Sequence, residues 1–528
     1  MKSLEPLKSV WILIFFYTAF FTACSGPFHP SNPDTSDNNA ENDELPAVPE
    51  SWTVLVYANG DNNLEQYIAQ DLKEMELADT TGADITILVL LDRIKGYSAA
   101  YGDFADTRLY QVVHTDVTDE YASLELESTE LGLTPGDTRE ELNMGDWQTL
   151  RNFISFGISY SNTDNYALII EDHGDGWFTS NAQDRGVSWD SSSFSSFIGT
   201  DELSLALGDS FFDILFLDAC QMGTLEVAYE LSDFASYFIA SPQNIPAGGM
   251  DYQSLFTRLG STDSKPAAWA QAFCTDFAET YPGSDIRIHG FSLDALRNGI
   301  DDQMPDMVRN LYDMSYEEVF SGFQNSEFFF SRNRAVYRDL LGFAESLGLS
   351  SVVDAINAAS LLPDPELSVF FPEYMPDYDS AYTHELAFTV NTGWDEWLLS
   401  WLESSPSGAD SNEPGNNTFH NPVPIENNVL AYGYISAPLD EDYYSFSLAS
   451  ETEVSISLSV PEGVDYHLVL ERQFINGPSE IEGSELSGKG MDENIVCLCS
   501  TGEYFVRVFP ASSSDFSASA EYSLLLSY

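Results

Sequence analysis

The chain has 528 residues, of which 43% are hydrophobic and 13% aromatic, so it holds enough apolar material for packed cores and is not a disordered polymer. Its length allows roughly two to four domains. Twenty Lys and Arg face 85 Asp and Glu, a formal net charge of -65, which excludes nucleic-acid binding because no basic cluster exists to neutralise phosphates. The acidity serves first as a solvated surface that resists aggregation; it also permits attraction of divalent cations or cationic substrates.

At the start of the chain, Lys2 and Lys8 precede the apolar run of residues 10–21, which is too short for a comfortable membrane span. Thr22-Ala23-Cys24 follows, small residues before a cysteine. This resembles a bacterial lipoprotein signal, with Phe21 departing from the usual aliphatic residue. The resemblance implies cleavage before Cys24, lipidation of Cys24, and a protein anchored to a membrane of the cell envelope or secreted. Residues 25–50 are rich in Pro, Ser, Asn, Asp and Glu without apolar periodicity and read as a disordered tether.

From Trp52 the pattern is that of alternating strands and helices. Apolar runs at Thr53–Tyr57, Ile85–Leu91, Tyr166–Ile170, Phe212–Leu217 and Tyr237–Ala240 read as strands, and Leu64–Leu77, Asp146–Ile158 and Ala267–Tyr281 as helices. Continuous apolar strands separated by helices predict an α/β domain, a mostly parallel sheet covered by helices on both faces. Arg334–Leu347 reads as a further helix and Leu367–Phe371 as a further strand. Residues 403–424 form a second linker. Beyond it, from 425 to 528, short alternating strands with Gly and Pro turns predict a small all-β sandwich.

The chemistry-bearing residues sit at two strand ends. Tyr166–Ile170 runs into Glu171-Asp-His-Gly-Asp-Gly-Trp177, and Phe212–Leu217 into Asp218-Ala-Cys-Gln-Met-Gly223. Ligand sites of open parallel sheets lie beyond the carboxyl ends of strands, so His173 and Cys220 can meet there. A thiol is strongly nucleophilic once deprotonated, and a nearby imidazole serves it as proton acceptor and then as acid to a leaving amine. The bland alternatives are a core cysteine and a histidine that closes a turn.

The five cysteines are too few and too scattered for a disulfide framework. Cys274 lies on a helix and reads as core. Cys497 and Cys499 share one face of a strand and read as small apolar packing residues rather than a metal site. His289 and His384 have no partner motif.

The two strand-end motifs resemble those of clostripain-family cysteine peptidases, which have a caspase-like fold. Trp52–Tyr57 with the turn that follows it to Leu64, Asn143-Met-Gly-Asp146 and Leu367-Ser-Val-Phe-Phe-Pro372 add to the resemblance, which spans residues 51–402. It implies Cys220 as nucleophile and His173 as its catalytic partner. It implies the backbone N–H groups of Gly174 and Cys220 as an oxyanion hole. It also implies Asp218 as a substrate-binding carboxylate that selects Arg or Lys before the scissile bond. Asp175 stands where a glycine is common in the family, and Ser241–Gly249 lacks the acidic residues often found in that loop. Relatives are cut between the His and Cys strands after a basic residue. Here Arg185 stands alone between Gly174 and Asp213, a site for self-cleavage. Calcium dependence is known in the family and the acidity permits it. No EF-hand-like loop or other metal-ligand set is evident, and no cofactor is required.

The C-terminal stretch, Gly433-Tyr-Ile-Ser436 through Asp440–Phe446, resembles the pre-peptidase C-terminal domain of secreted bacterial peptidases. The expected partners are protein or peptide substrates and a membrane reached through the lipid anchor. The rival functional reading is a non-catalytic caspase-like surface binding protein or an adhesin.

Overall fold

The computed structural model describes residues 50–136, 141–177, 186–331, 334–372, 378, 381–382, 386–403, 422–435, 440–474, 477–484, 486, 488–512, 515–517 and 520–528. The signal segment with Cys24, the tether, most of the second linker, Arg185 and His384 lie outside the described residues. Among the described residues no helix is long and apolar enough to cross a membrane.

The first strand, β1 (Trp52–Gly60), is buried along all nine residues. Such a strand needs apolar cover on both faces, and its side chains alternate between two cores. Leu55 and Tyr57 belong to one core, and Val54, Val56 and Ala58 to the other. The same alternation runs through β2 (Ile85–Arg93), β5 (Asn165–Glu171), β8 (Phe212–Asp218) and β9 (Ala235–Ala240), counting β3 (Arg108–Gln111), β4 (Leu124–Glu125) and the small hairpin β6 (Val187–Asp190) and β7 (Ser196–Ile198) in between. With β10 (His289–Ser292) the principal sheet has the order β10-β9-β8-β5-β1-β2-β3-β4. Its middle five strands are parallel, as the continuous apolar runs predict. Its edges are antiparallel, which the sequence reading did not contain.

The helices divide between the two faces. One face is covered by α1 (Glu65–Leu77), with α5 (Tyr252–Leu259) and α6 (Pro266–Thr280) later in the chain; the other by α2 (Trp147–Tyr160), α3 (Thr200–Leu207), α4 (Leu225–Glu230) and α7 (Leu293–Tyr312). Asp146 starts α2 by accepting a hydrogen bond from the Gln148 N–H at 2.9 Å. The fold is therefore the α/β arrangement expected, a mostly parallel sheet, here with antiparallel edges.

One predicted helix is corrected. The segment from Arg334 divides into a strand, β12 (Arg334–Asp339), and a helix, α9 (Leu340–Ser346), after β11 (Phe328–Ser331) and α8 (Tyr316–Asn325). Asp339 makes the break. Its carboxylate accepts from the Leu341 N–H at 3.2 Å and the Gly342 N–H at 2.7 Å, so helix can begin only after it. The stretch before it pairs antiparallel with β13 (Ser368–Phe370) through Tyr337↔Phe370.

After Val423 the described strands form two sheets of five and four, with their own apolar core of residues such as Tyr466, Leu468, Val506 and Leu524. This is the predicted β-sandwich. Cys499 is buried in it and Cys497 packs against it. Cys274 is buried on α6, where burial pushes its thiol up to about 12. His289 is buried with Nε2 3.6 Å from the Glu366 carboxylate, a partner no local motif announced.

Candidate active site

Two adjacent parallel strands bring the motifs together. β5 and β8 pair with Ile170↔Leu217 and Glu171↔Asp218 in register. The Asp172 N–H then donates to the Asp218 carbonyl at 3.4 Å, and the chains leave the sheet side by side. His173 and Cys220 line one cleft of about 460 Å³, with Asn62, Asn63, Trp189 and Gln221 among the other lining residues.

The two loops touch at their backbones. A Cβ on Gly174 would stand 2.5 Å from the Cys220 carbonyl oxygen and 3.0 Å from the Ala219 Cβ. Only glycine allows that approach. The Cys loop is pinned from its far side: the Gln221 N–H donates to the Gln243 carbonyl at 2.9 Å and the Gly223 N–H to the Ser241 carbonyl at 2.7 Å. Gln221 takes a left-handed conformation, φ 59°, to turn the chain there. Around His173, the Asp175 N–H donates to the Gly186 carbonyl and the Ser188 N–H to the His173 carbonyl, at 3.2 and 3.3 Å. Among the described residues, neither the Gly174 N–H nor the Cys220 N–H donates to a protein acceptor. Two adjacent backbone donors without acceptors can receive an oxyanion.

The imidazole of His173 is held from β1 and β6. Its Nε2 lies 3.0 Å from Asn63 Oδ1, a contact that suits the tautomer with the proton on Nε2 and Nδ1 left to exchange protons. The ring also lies against Trp189, centroids 5.8 Å apart. The loops carrying these two residues are joined by Asp172. Its Oδ1 accepts from the Asn62 side-chain amide at 2.7 Å, and its Oδ2 from the Trp189 N–H. The Asn-rich turn after β1 is visible in the sequence, but no local pattern attaches it to His173, and none marks Trp189.

Cys220 is half-buried, with Sγ 3.8 Å from the Ile245 carbonyl. Burial pushes its thiol above the usual range, and the nearby Asp218, Asp175 and Asp172 push it further. The free protein therefore keeps the sulfur protonated.

Asp218 does not enter this cleft. It is buried, and its Oδ2 accepts from the Met250 N–H at 3.1 Å and the Tyr252 hydroxyl at 2.9 Å. Gly249 lies directly over it: a Cβ there would be 2.8 Å from Oδ2. Its Oδ1 has no partner. Burial raises Asp218 to about 6. Glu171, from β5, and Asp71, from α1, share this pocket of charge. Burial and Asp218 raise Glu171 to about 8, against a lowering hydrogen bond from Asp71. Asp251, just after the Ser241–Gly249 loop, caps α5 by accepting from the Ser254 N–H at 2.9 Å. A second carboxylate group comprises Asp61, Asp92 and Asp190, all buried, with carboxylate oxygens within 4.8 Å of one another.

The sequence model of the clostripain family matches residues 56–297, the stretch that contains both strand ends. The match covers a little under half of the chain and makes this stretch similar to that family. The clostripain of Hathewaya histolytica is 31% identical over 229 residues, covering 39% of this chain and 42% of that protein. The chain thus spans less than half the length of this curated relative. A secreted C11 cysteine protease from Bacteroides thetaiotaomicron, solved with an irreversible peptide inhibitor, covers 66% of this chain and 99% of its own, with TM-score 0.51 and 20% identity. An inactive zymogen C11 protease from Parabacteroides distasonis covers 65% and 99%, with TM-score 0.50 and 22% identity. At those identities the likeness is one of fold. The matched stretch places its His and Cys motifs at the ends of the two neighbouring strands β5 and β8.

Proposed function

We propose that this chain is an exported cysteine endopeptidase. The observation that carries the reading is the convergence of His173 and Cys220 on one cleft beside two backbone N–H groups without acceptors. In the proposed reaction Cys220 gives its proton to His173 as Sγ attacks the scissile carbonyl carbon. The carbonyl π electrons move to oxygen, which accepts hydrogen bonds from the Gly174 and Cys220 N–H groups. Collapse breaks the C–N bond, and the His173 imidazolium protonates the departing amine. Water then attacks the thioester and passes a proton to His173. The C–S bond breaks, and the sulfur recovers its proton.

A preference for Arg or Lys is part of the proposal. Its support is the partnerless Oδ1 of buried Asp218, with Glu171 and Asp71 behind it. A cationic side chain reaching this group would neutralise carboxylates that have no cation of their own among the described residues. Cleavage after Arg185 and anchoring through Cys24 complete the proposal.

A panel of peptides varied at the residue before the scissile bond tests it, run with and without a thiol-directed inhibitor. Hydrolysis confined to Arg and Lys peptides, blocked by the inhibitor and absent in Cys220→Ala, is expected. Full hydrolysis by Cys220→Ala overturns the mechanism; equal rates on all peptides overturn the specificity alone.

A further inference from the structure

The small hairpin β6–β7 stands at the cleft. Trp189, Ser191 and Ser195 from it are among the lining residues. The Trp189 ring lies against His173 on one side and Phe197 on the other, with centroids 5.8 and 6.4 Å away. At the hairpin tip Phe194 is fully exposed, more so than any other large apolar side chain among the described residues. Its backbone and that of Ser195 are left-handed, with φ 62° and 56°. A bulky aromatic residue in that region is strained where glycine would sit freely.

The tip is anchored. The Ser191 N–H donates to the Asp61 carbonyl at 2.9 Å and the Ser192 N–H to Asp61 Oδ1 at 3.3 Å, which ties the hairpin to the turn after β1. The Ser193 N–H donates to Asp190 Oδ1 at 2.7 Å, and the Ser196 hydroxyl to Asn143 Oδ1 at 2.5 Å. A bridge between Gly174 and Val187 joins its base to the His loop. A fixed tip that holds an unpacked phenyl ring on a strained backbone costs stability and buries nothing, and such strain persists where the position serves a ligand.

We propose that Trp189 and Phe194 form a subsite for an apolar side chain directly after the scissile bond. The inference rests on the peptidase reading above, which sets the direction of the bound peptide. The side chain before the scissile bond is drawn towards Asp218, which is turned to Met250 and Tyr252, members of the core beneath α1, α5 and α6. His173 protonates the departing amine, so the residue that carries this amine lies at the imidazole. Trp189 flanks the imidazole there, and the hairpin sends Val187 and Ile198 into the core on the opposite face of the sheet. The departing half of the peptide therefore meets the hairpin and not Asp218. Its first side chain falls between the indole and the tip, where aromatic surface rewards an apolar group.

The experiment uses the full chain and two peptides that differ only in Leu or Gly directly after a scissile Arg. The parent is expected to prefer the Leu peptide by about tenfold or more in kcat/KM, the usual discrimination of an apolar pocket. Phe194→Gly is expected to bring that ratio to within about twofold of unity, and Phe194→Tyr to keep it. Phe194→Gly should melt no lower than the parent, because glycine adopts φ 62° without strain; a fall of several degrees would make the ring part of the fold and overturn the subsite. The same peptides, labelled and titrated into Cys220→Ala by fluorescence anisotropy, read the subsite without turnover. The Leu peptide should bind at least about fivefold tighter, and adding Phe194→Gly should remove the difference. Hydrolysis of both peptides at equal rates, or a ratio that Phe194→Gly leaves unmoved, overturns the subsite and leaves the peptidase reading standing. No hydrolysis together with the preference in binding overturns the peptidase reading and supports the subsite; neither hydrolysis nor preference overturns both.

Discussion

At the cleft, charge works against the nucleophile in the free protein. Burial and three aspartates keep the Cys220 proton in place, so alkylation of Cys220 by iodoacetamide is expected to go on rising above pH 9 in the free enzyme, since only the thiolate reacts. A plateau reached near pH 7 would show instead a preformed thiolate. His173→Ala is expected to lower turnover by about 10²–10⁴-fold, the usual contribution of positioned acid–base groups. Asn63→Ala removes the acceptor that favours the Nε2–H tautomer. It should cut kcat by about tenfold with little change in KM, and displace the pH profile, as expected of a group that acts by orienting the acid–base residue. A parallel loss in KM and an unmoved profile would place Asn63 in substrate binding.

At the scale of elements, α4 and β13 are joined by one buried carboxyl. Glu226 Oε1 accepts from the Phe370 N–H at 2.7 Å and the Tyr382 hydroxyl at 2.6 Å. Burial raises Glu226 to about 7. Glu226→Ala leaves two buried donors without acceptors and a cavity, a loss of about 2–5 kcal/mol in urea unfolding. Glu226→Gln keeps the acceptor and is expected to cost far less; equal losses in the two variants would assign the effect to volume rather than to the hydrogen bonds. Between β5 and β8 the critical element is the contact of two loops. Gly174→Ala drives a methyl into the Cys220 carbonyl, so hydrolysis should fall by at least about a hundredfold, the size of losing one oxyanion donor, while Tm shifts by only a few degrees.

Over the whole molecule the acids outnumber the bases by 65 charges. Asp218 and Asp339 are raised to about 6, Glu226 and Asp395 to about 7, and Glu171 to about 8, burial being the first cause in each. A raised acid binds its proton more tightly folded than unfolded. Its contribution is fully present below the unfolded value near 4 and is lost as pH rises through the folded value. Stability should therefore fall from about pH 5 to 8, by calorimetric Tm, and added salt should recover part of it by screening the surface repulsion. A Tm that rises across that range would mean that ion pairs, not buried neutral acids, dominate. Metabolic fatty-acid labelling of the wild type and not of Cys24→Ser is the expected outcome for the anchoring reading.

The strands and their environment were legible in the amino-acid pattern alone. Runs such as Val54-Leu-Val56 and Ile214-Leu-Phe216 have no polar face, and a strand of that kind can only be central in a doubly covered sheet. It also placed His173 and Cys220 at strand ends, because the apolar runs stop where the polar motifs begin. Which residues support that pair was decided by tertiary structure alone. Asn63, Trp189 and Asp172 come together across 110 and 17 residues of chain, a proximity that no local pattern encodes. The same holds for the burial of Asp218 beneath Gly249 and for the three aspartates gathered from β1, β2 and β6. Each of these carboxylates is an ordinary polar residue in its own segment. Only the packing of one strand end against another removes it from water and gives its charge a consequence.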